Sequence, residues 1–459
     1  MRALALWAVL FAAYAATLGV DAVGGSQYGG DEPRYLLIAE SIVSDRDIDL
    51  TDEFATRAYA GFQRGTLRSQ GEVVLGRTVE PQGAGFALLI SPAYALGGPK
   101  AVEIFLAAIA ALGFVLAALV ARRIVPEPWA SGGALLVGLS PVALAHATAV
   151  YPEAAAGTAL AGAALCALRV RERPAFGSAV VGAALLAVLP WLGPKYLLPA
   201  APVACVLVRW TARRGRRTAA LAAAEVMVAS IVVYATINDR LFGGLTPYAA
   251  SASGRSPTGA DSVGDHLARL PRLAALWIDR DVGLLRWAPV LALSLFAAWL
   301  LWRSRRSHLA RLVAERADAE AAAALALAVW AAVLALAAFA APAIAGEWFA
   351  GRQLAAGLPM AAALCAWGLR HAPRTGAVLG ALTLAASIWL AVAFAFGGAA
   401  GWADHGTSAP LGPAIDLLPR SGVGSVWFAV AASLLGVAAV AVVAREWWRR
   451  PERTSATAG

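Results

Sequence analysis

Lysine is almost missing from this sequence: of 38 basic residues, all but Lys100 and Lys195 are arginine. Histidine is scarce too, five in 459 residues and none in an HExxH pattern, so the usual zinc-hydrolase signature is excluded. The three cysteines, Cys166, Cys205 and Cys365, lie in apolar runs without CxxC spacing, which argues against a disulfide framework or a thiolate metal site. No Walker loop or dinucleotide fingerprint opens a strand–helix unit, and "GLSPVAL" around Ser140 lacks the form of a nucleophile elbow. Charged residues make up only 15% of the chain, against 60% hydrophobic. A water-soluble core cannot hide that much apolar surface.

Long apolar runs are what the chain has in quantity. "AVEIFLAAIAALGFVLAALVA" (Ala101–Ala121) alone matches the roughly 20 residues that cross a bilayer core at about 1.5 Å per residue. The expected fold is an all-α polytopic membrane protein. About twelve transmembrane helices are expected, near 3–20, 100–121, 128–147, 152–168, 177–191, 195–210, 217–237, 284–302, 320–342, 352–369, 374–396 and 425–444. The segment Gly83–Leu96 is too short to span and reads as re-entrant or interfacial. The first 20 residues have the outline of a signal peptide, but with so many spans following, an uncleaved first helix is expected. One membrane domain is expected over 1–446, with a short cytoplasmic tail at 447–459.

Arginine tests the topology. With the N terminus inside, the clusters at Arg122–Arg123, Arg169–Arg173, Arg209–Arg217, Arg303–Arg311, Arg370–Arg374 and Arg445–Arg453 all fall on one side. That is the positive-inside pattern, and it places both termini in the cytoplasm of a plasma-membrane protein. It also accounts for the formal charge of +9 without nucleic acid, because the arginines are scattered and form no continuous basic face. The outer side then carries two long loops, 21–99 and 238–283, the first rich in Asp and Glu. Polar groups converging beside lipid mark where function should be sought.

Within that first loop stands "GGDEPRYLLIAESI" (Gly29–Ile42). Pro33 suits a first helical position, and an acid before it favours the positive end of the helix dipole. Tyr35, Ile38, Ala39 and Ile42 make an apolar stripe at helical spacing, so 33–43 reads as an amphipathic helix on the membrane surface. Capping needs one acid, yet Asp31 and Glu32 supply two. On the same face, Lys195 in "PWLGPKYLLP" breaks the positive-inside pattern and calls for an anionic partner, such as a lipid phosphate or headgroup. Lys100, after "GGP", reads as a membrane anchor.

Other outer-face groups are Glu153 in "VYPEAA", Asp279, Arg280, Asp281 and Arg286 in "WIDRDVGLLRWAP", and Glu347 and Arg352 in "GEWFAGRQL". Arginine is suited to gripping phosphate through several donors. An acid pair beside such cations suits a reaction in which a lipid-linked phosphate leaves while a carboxylate deprotonates an incoming hydroxyl.

The series "DEPRYLLIAESI", "YPE", "PWLGPKYLL", "DRDVGLL…AP" and "GEWFAGRQLAAGLP" resembles the GT-C-type membrane glycosyltransferases that use polyprenyl-phosphate sugars. Within them it is most similar to bacterial members related to the aminoarabinose transferases and protein O-mannosyltransferases, over about residues 1–370. The resemblance implies inverting transfer of a sugar from a polyprenyl-phosphate donor to a cell-envelope acceptor (glycan, lipid or protein) on the extracytoplasmic face. It implies Asp31 as the catalytic carboxylate and Glu32 as the second acid of the pair. Lys195 and Arg352, with Arg280, are implied to bind the lipid phosphate. Arg34, Tyr35, Glu153, Asp279 and Glu347 complete the candidate substrate contacts. Some members bind a divalent metal at the first-loop acids, which leaves a metal at Asp31 open. No large C-terminal soluble domain follows in this sequence, so acceptor recognition is expected from the outer loops. The alternative is a transporter or flippase for a lipid-linked or anionic substrate, which should carry its ionisable groups near mid-membrane in broken helices.

Overall fold

The computed structural model describes residues 2–173, 176–213, 215–253, 258–306, 314–344, 348–396, 401–403, 411–421 and 425–448. Nearly all regular structure is helical. In chain order the helices are α1 (Ala3–Ala15), α2 (Glu32–Ser44), α3 (Thr51–Thr56), α4 (Ala84–Ala121), α5 (Trp129–Gly138), α6 (Pro141–Ala147), α7 (Glu153–Glu172), α8 (Phe176–Leu192) and α9 (Leu197–Arg213). They continue with α10 (Arg217–Phe242), α11 (Val263–Ala268), α12 (Arg272–Ile278), α13 (Leu284–Trp287), α14 (Ala292–Arg306), α15 (Ala314–Ala335), α16 (Leu358–His371), α17 (Pro373–Phe396) and α18 (Val426–Trp448). The one sheet among the described residues is an antiparallel pair, β1 (Val73–Val74) with β2 (Arg77–Thr78).

Among the described residues, five stretches are long and apolar enough to cross a membrane: Ala84–Ala121, Glu153–Glu172, Arg217–Ala250, Ala317–Ala340 and Pro373–Phe396. The pair α5 and α6, bent by 68°, makes a sixth if it is one broken span. The chain is an all-α membrane protein. Its outward faces agree: α10 shows Leu221, Val228 and Val232, and α17 shows Leu382, Ile388 and Phe396, all exposed and apolar.

Helix forms in each of the twelve expected segments, but several are short or interrupted. Ser140 accepts the Ala143 amide and Pro141 takes the first helical position, so a new helix starts where one straight span over 128–147 was expected. Gly97 and Gly98 are non-helical inside α4 and Pro99 follows, which divides the Gly83–Leu96 segment from the apolar run after it. The tail expected at 447–459 falls outside the described residues from 449 onward.

Small residues let the helices approach closely, as membrane packing favours. A Cβ on Gly133 of α5 would meet Ala366 of α16 at 2.6 Å, and one on Gly157 of α7 would meet the Ala356 carbonyl oxygen at 2.9 Å. The second contact seats the 3₁₀ turn Arg352–Gly357 against α7, beside Glu153.

Helix α2 corrects one expectation. Residues 32–39 are buried without a break, so its first two turns are enclosed by protein, with α4 as a principal neighbour, and do not lie flat on lipid. An apolar stripe at helical spacing reports a covered face and does not say whether lipid or protein covers it. Arg34 is buried as well, held by the carbonyls of Gly30 (2.9 Å) and Arg68 (3.0 Å) and by Glu80 at 3.5 Å.

Candidate active site

Asp31 immediately precedes α2, after Gly30 at φ +60°. Arg352 follows Gly351 at φ +83°, where a Cβ would also strike Val142 at 2.7 Å. Both left-handed positions favour glycine, and each turns the chain just ahead of a charged side chain. The two side chains meet: Arg352 Nη2 donates to Asp31 Oδ2 at 3.1 Å. Gln82 Nε2 donates to the other oxygen, Oδ1, also at 3.1 Å.

Arg352 lies with its guanidinium 3.7 Å from the centre of the Tyr151 ring. The Tyr151 hydroxyl donates to the Gly29 carbonyl at 3.0 Å and accepts the Asp31 amide at 3.3 Å. One tyrosine therefore fixes both the acid's backbone and the arginine's plane. Arg352 Nε is also 3.8 Å from Glu153 Oε1, which accepts from Lys195 Nζ at 2.7 Å. Asp31, Arg352, Glu153 and Lys195 thus form a line of alternating charge drawn from four distant stretches of chain.

Access separates the acids. The Asp31 side chain is 29% exposed, whereas that of Glu153 is 2% exposed. Glu32 is enclosed too, its oxygens accepting the amides of Val150 (2.7 Å) and Gly29 (2.9 Å). Burial pushes the Glu32 carboxyl up to about 8 despite those two amides, with Glu103 adding to the rise. Glu32 pins the start of α2 to the turn before α7, and Asp31 is the acid of the three that is open to solvent.

The remaining expected site residues divide. Tyr35 is buried edge-on to Phe86 (4.9 Å) and Tyr151 (6.4 Å), under the cluster. Arg280 and Asp279 belong to a different group. Arg280 pairs with Asp416 at 2.9 Å and Asp281 at 3.6 Å, and Asp281 pairs with Arg420 at 3.1 Å. Asp279 accepts the amides of Asp281 and Val282 and caps the Ser421 amide. Glu347 lies outside the described residues. The sequence reading missed Tyr151 and Gln82. Tyr151 stood inside the quoted "VYPEAA", two residues before the glutamate that drew notice.

The question of a divalent metal at Asp31 turns on how the acid pair is already engaged. Both Asp31 oxygens are engaged, one by a cation, and both Glu32 oxygens accept backbone amides.

No protein-family model matches the sequence, and none of the curated proteins matches it. Solved structures do. ArnT from Cupriavidus metallidurans bound to undecaprenyl phosphate superposes with a TM-score of 0.52 at 15% identity, covering 96% of this chain and 72% of ArnT. Apo ArnT gives 0.49 at 16% identity, over 86% of this chain and 70% of ArnT. The oligosaccharyltransferase AglB from Archaeoglobus fulgidus, in complex with an inhibitory peptide and a dolichol-phosphate, gives 0.43 at 15% identity; 85% of this chain matches about half of AglB (54%). The chain has the GT-C-type fold of ArnT.

Proposed function

We propose that this chain is an integral-membrane glycosyltransferase that moves a sugar from a polyprenyl-phosphate donor to a cell-envelope acceptor. The observation that carries the reading is the line Asp31–Arg352–Glu153–Lys195, one reachable carboxylate beside two cations, on a fold shared with a protein crystallised with undecaprenyl phosphate. Lys195 donates one of its three N–H groups to Glu153 and has two left for a phosphate. Its side chain is also twice as exposed as that of Arg352, at 25% against 12%.

In the reaction, the acceptor hydroxyl attacks the anomeric carbon and its proton passes to Asp31. The carbon–oxygen bond to the lipid phosphate breaks with its electron pair on the phosphate, and Lys195 and Arg352 balance the charge developing there. Attack opposite the leaving phosphate inverts the sugar. Gln82 and Tyr151 hold Asp31 in place, and Glu32 positions the start of α2. The reading includes twelve crossings, cytoplasmic termini, an extracytoplasmic site and a single membrane domain, supported by the one-sided arginine clusters.

The transport alternative is less well served, because the ionisable groups gather at helix ends and in connecting turns. The test is Asp31→Asn in purified protein supplied with polyprenyl-phosphate sugars and cell-envelope extract. Transfer should fall by about 10²–10⁴, the contribution of a positioned general base, while the protein still inserts and binds lipid phosphate. Full transfer by Asp31→Asn removes the assignment.

A further inference from the structure

The stretch "SDRDIDLTDEF" (44–54) holds five acids within nine residues, at the end of α2 away from Asp31. The fold uses two of them locally. Asp47 accepts from the Ser41 hydroxyl at 3.0 Å and the Asp49 amide at 3.1 Å. Asp49 accepts from the Thr51 hydroxyl at 2.6 Å and the Thr78 amide at 2.9 Å.

The other three converge: Asp45, Asp52 and Glu53 each place a carboxylate oxygen within 4.8 Å of the others. Asp45 and Asp52 are exposed, but Glu53 is only 3% exposed. Both Glu53 oxygens are sealed from solvent and neither has a hydrogen-bond partner. No lysine or arginine pairs with any of the three among the described residues. A buried carboxyl with two empty acceptors beside two further carboxylates is costly unless something positive joins it.

We propose that Asp45, Asp52 and Glu53 bind one hard divalent cation of Ca²⁺ size. Three carboxylate oxygens without nitrogen or sulfur select Ca²⁺ or Mg²⁺ over zinc or copper. The layout of the donors favours the larger ion: Ca²⁺ accepts irregular shells of about six to eight oxygens at about 2.3–2.6 Å, whereas Mg²⁺ demands a near-ideal octahedron at about 2.0–2.1 Å, and these acids come from two separate places, the end of α2 and the first turn of α3. Water would complete the shell from the exposed side. The ion clips the C-terminal end of α2 to α3, about 20 Å along the helix from Asp31 by its rise of about 1.5 Å per residue. It is therefore a fastener for the first loop, and it stands whether or not the chain transfers sugar.

The test strips full-length protein in detergent with a chelator and titrates it with Ca²⁺ alone, by calorimetry and by unfolding temperature. One saturable Ca²⁺ per chain is expected, with a rise in unfolding temperature and weaker binding of Mg²⁺. Affinity should fall at least tenfold in Asp52→Asn and in Glu53→Gln; if the buried variant does not fold, the exposed Asp52→Asn decides. The proposal is overturned by no saturable Ca²⁺ at millimolar concentration, by unchanged affinity in Asp52→Asn, or by Mg²⁺ binding as tightly as Ca²⁺.

Discussion

Two groups in this molecule hold the same inventory, two acids and two basic side chains. One is Asp31, Arg352, Glu153 and Lys195; the other is Arg280, Asp281, Asp416 and Arg420. In the first, no side chain is more than 29% exposed, and Arg352 is wedged between two acids and a tyrosine ring. In the second, Asp416 and Arg420 are 77% and 67% exposed. Water and salt screen the second group, so its pairs contribute little. Enclosed charges in the first depend on one another, because removing one leaves its partner uncompensated. The same residue types thus give a surface tie in one place and an enclosed, interdependent cluster in the other.

The contrast can be broken experimentally, beginning with its strongest member. Arg352→Ala should lower unfolding stability by about 1.5–3 kcal/mol, the cost of losing a charged hydrogen bond to Asp31 while Glu153 keeps Lys195 at 2.7 Å, and should also weaken donor binding. Denaturant unfolding that matches the parent protein would erase the distinction. Lys195→Ala should weaken lipid-phosphate binding more than it weakens the fold, since Glu153 keeps Arg352 nearby; unchanged affinity in a lipid-phosphate binding assay would remove Lys195 from the donor site.

Glu32→Gln comes next, at about 1–3 kcal/mol, because the Gln amide NH₂, a donor, would face one of two buried backbone N–H groups. The carboxyl is raised to about 8 by burial from an ordinary 4.5, so between those values the folded chain holds a proton that the unfolded chain has lost. Its contribution therefore weakens as pH rises from about 4.5 to 8, and unfolding temperature followed across that window should decline less steeply in Glu32→Gln. Smallest of all is Arg280→Ala, expected within about 0.5 kcal/mol and with transfer retained. Loss of transfer in Arg280→Ala would return it to the donor site.

Much of the enclosed cluster was legible because of scarcity and sidedness. Lys195 stood out as one of two lysines, and arginine density put it on the same face as Asp31 and Arg352. Tyr151 and Gln82 carried no such mark, because an aromatic or an amide acquires meaning only from what it touches. Arg280 shows the converse: "DRD" looked equivalent to the other motifs, but its partner Asp416 is 136 residues away and nothing local announces it. The all-helical membrane fold was readable from apolar run length. The broken spans were harder, since Pro141 and Gly97–Gly98 interrupt runs whose hydropathy continues through them.

The line of alternating charge has a further consequence. Two carboxylates and two cations sum to zero, so the pocket casts almost no field beyond contact distance. On the proposed function, a lipid-borne phosphate would not be drawn to it from afar; it would arrive by wandering within the plane of the bilayer and meet Lys195 on contact. Arg352 would then be shared among three anions, and whatever it yielded to the newcomer it would withdraw from Asp31. The proposed base would thus be loosened by the arrival of the proposed donor.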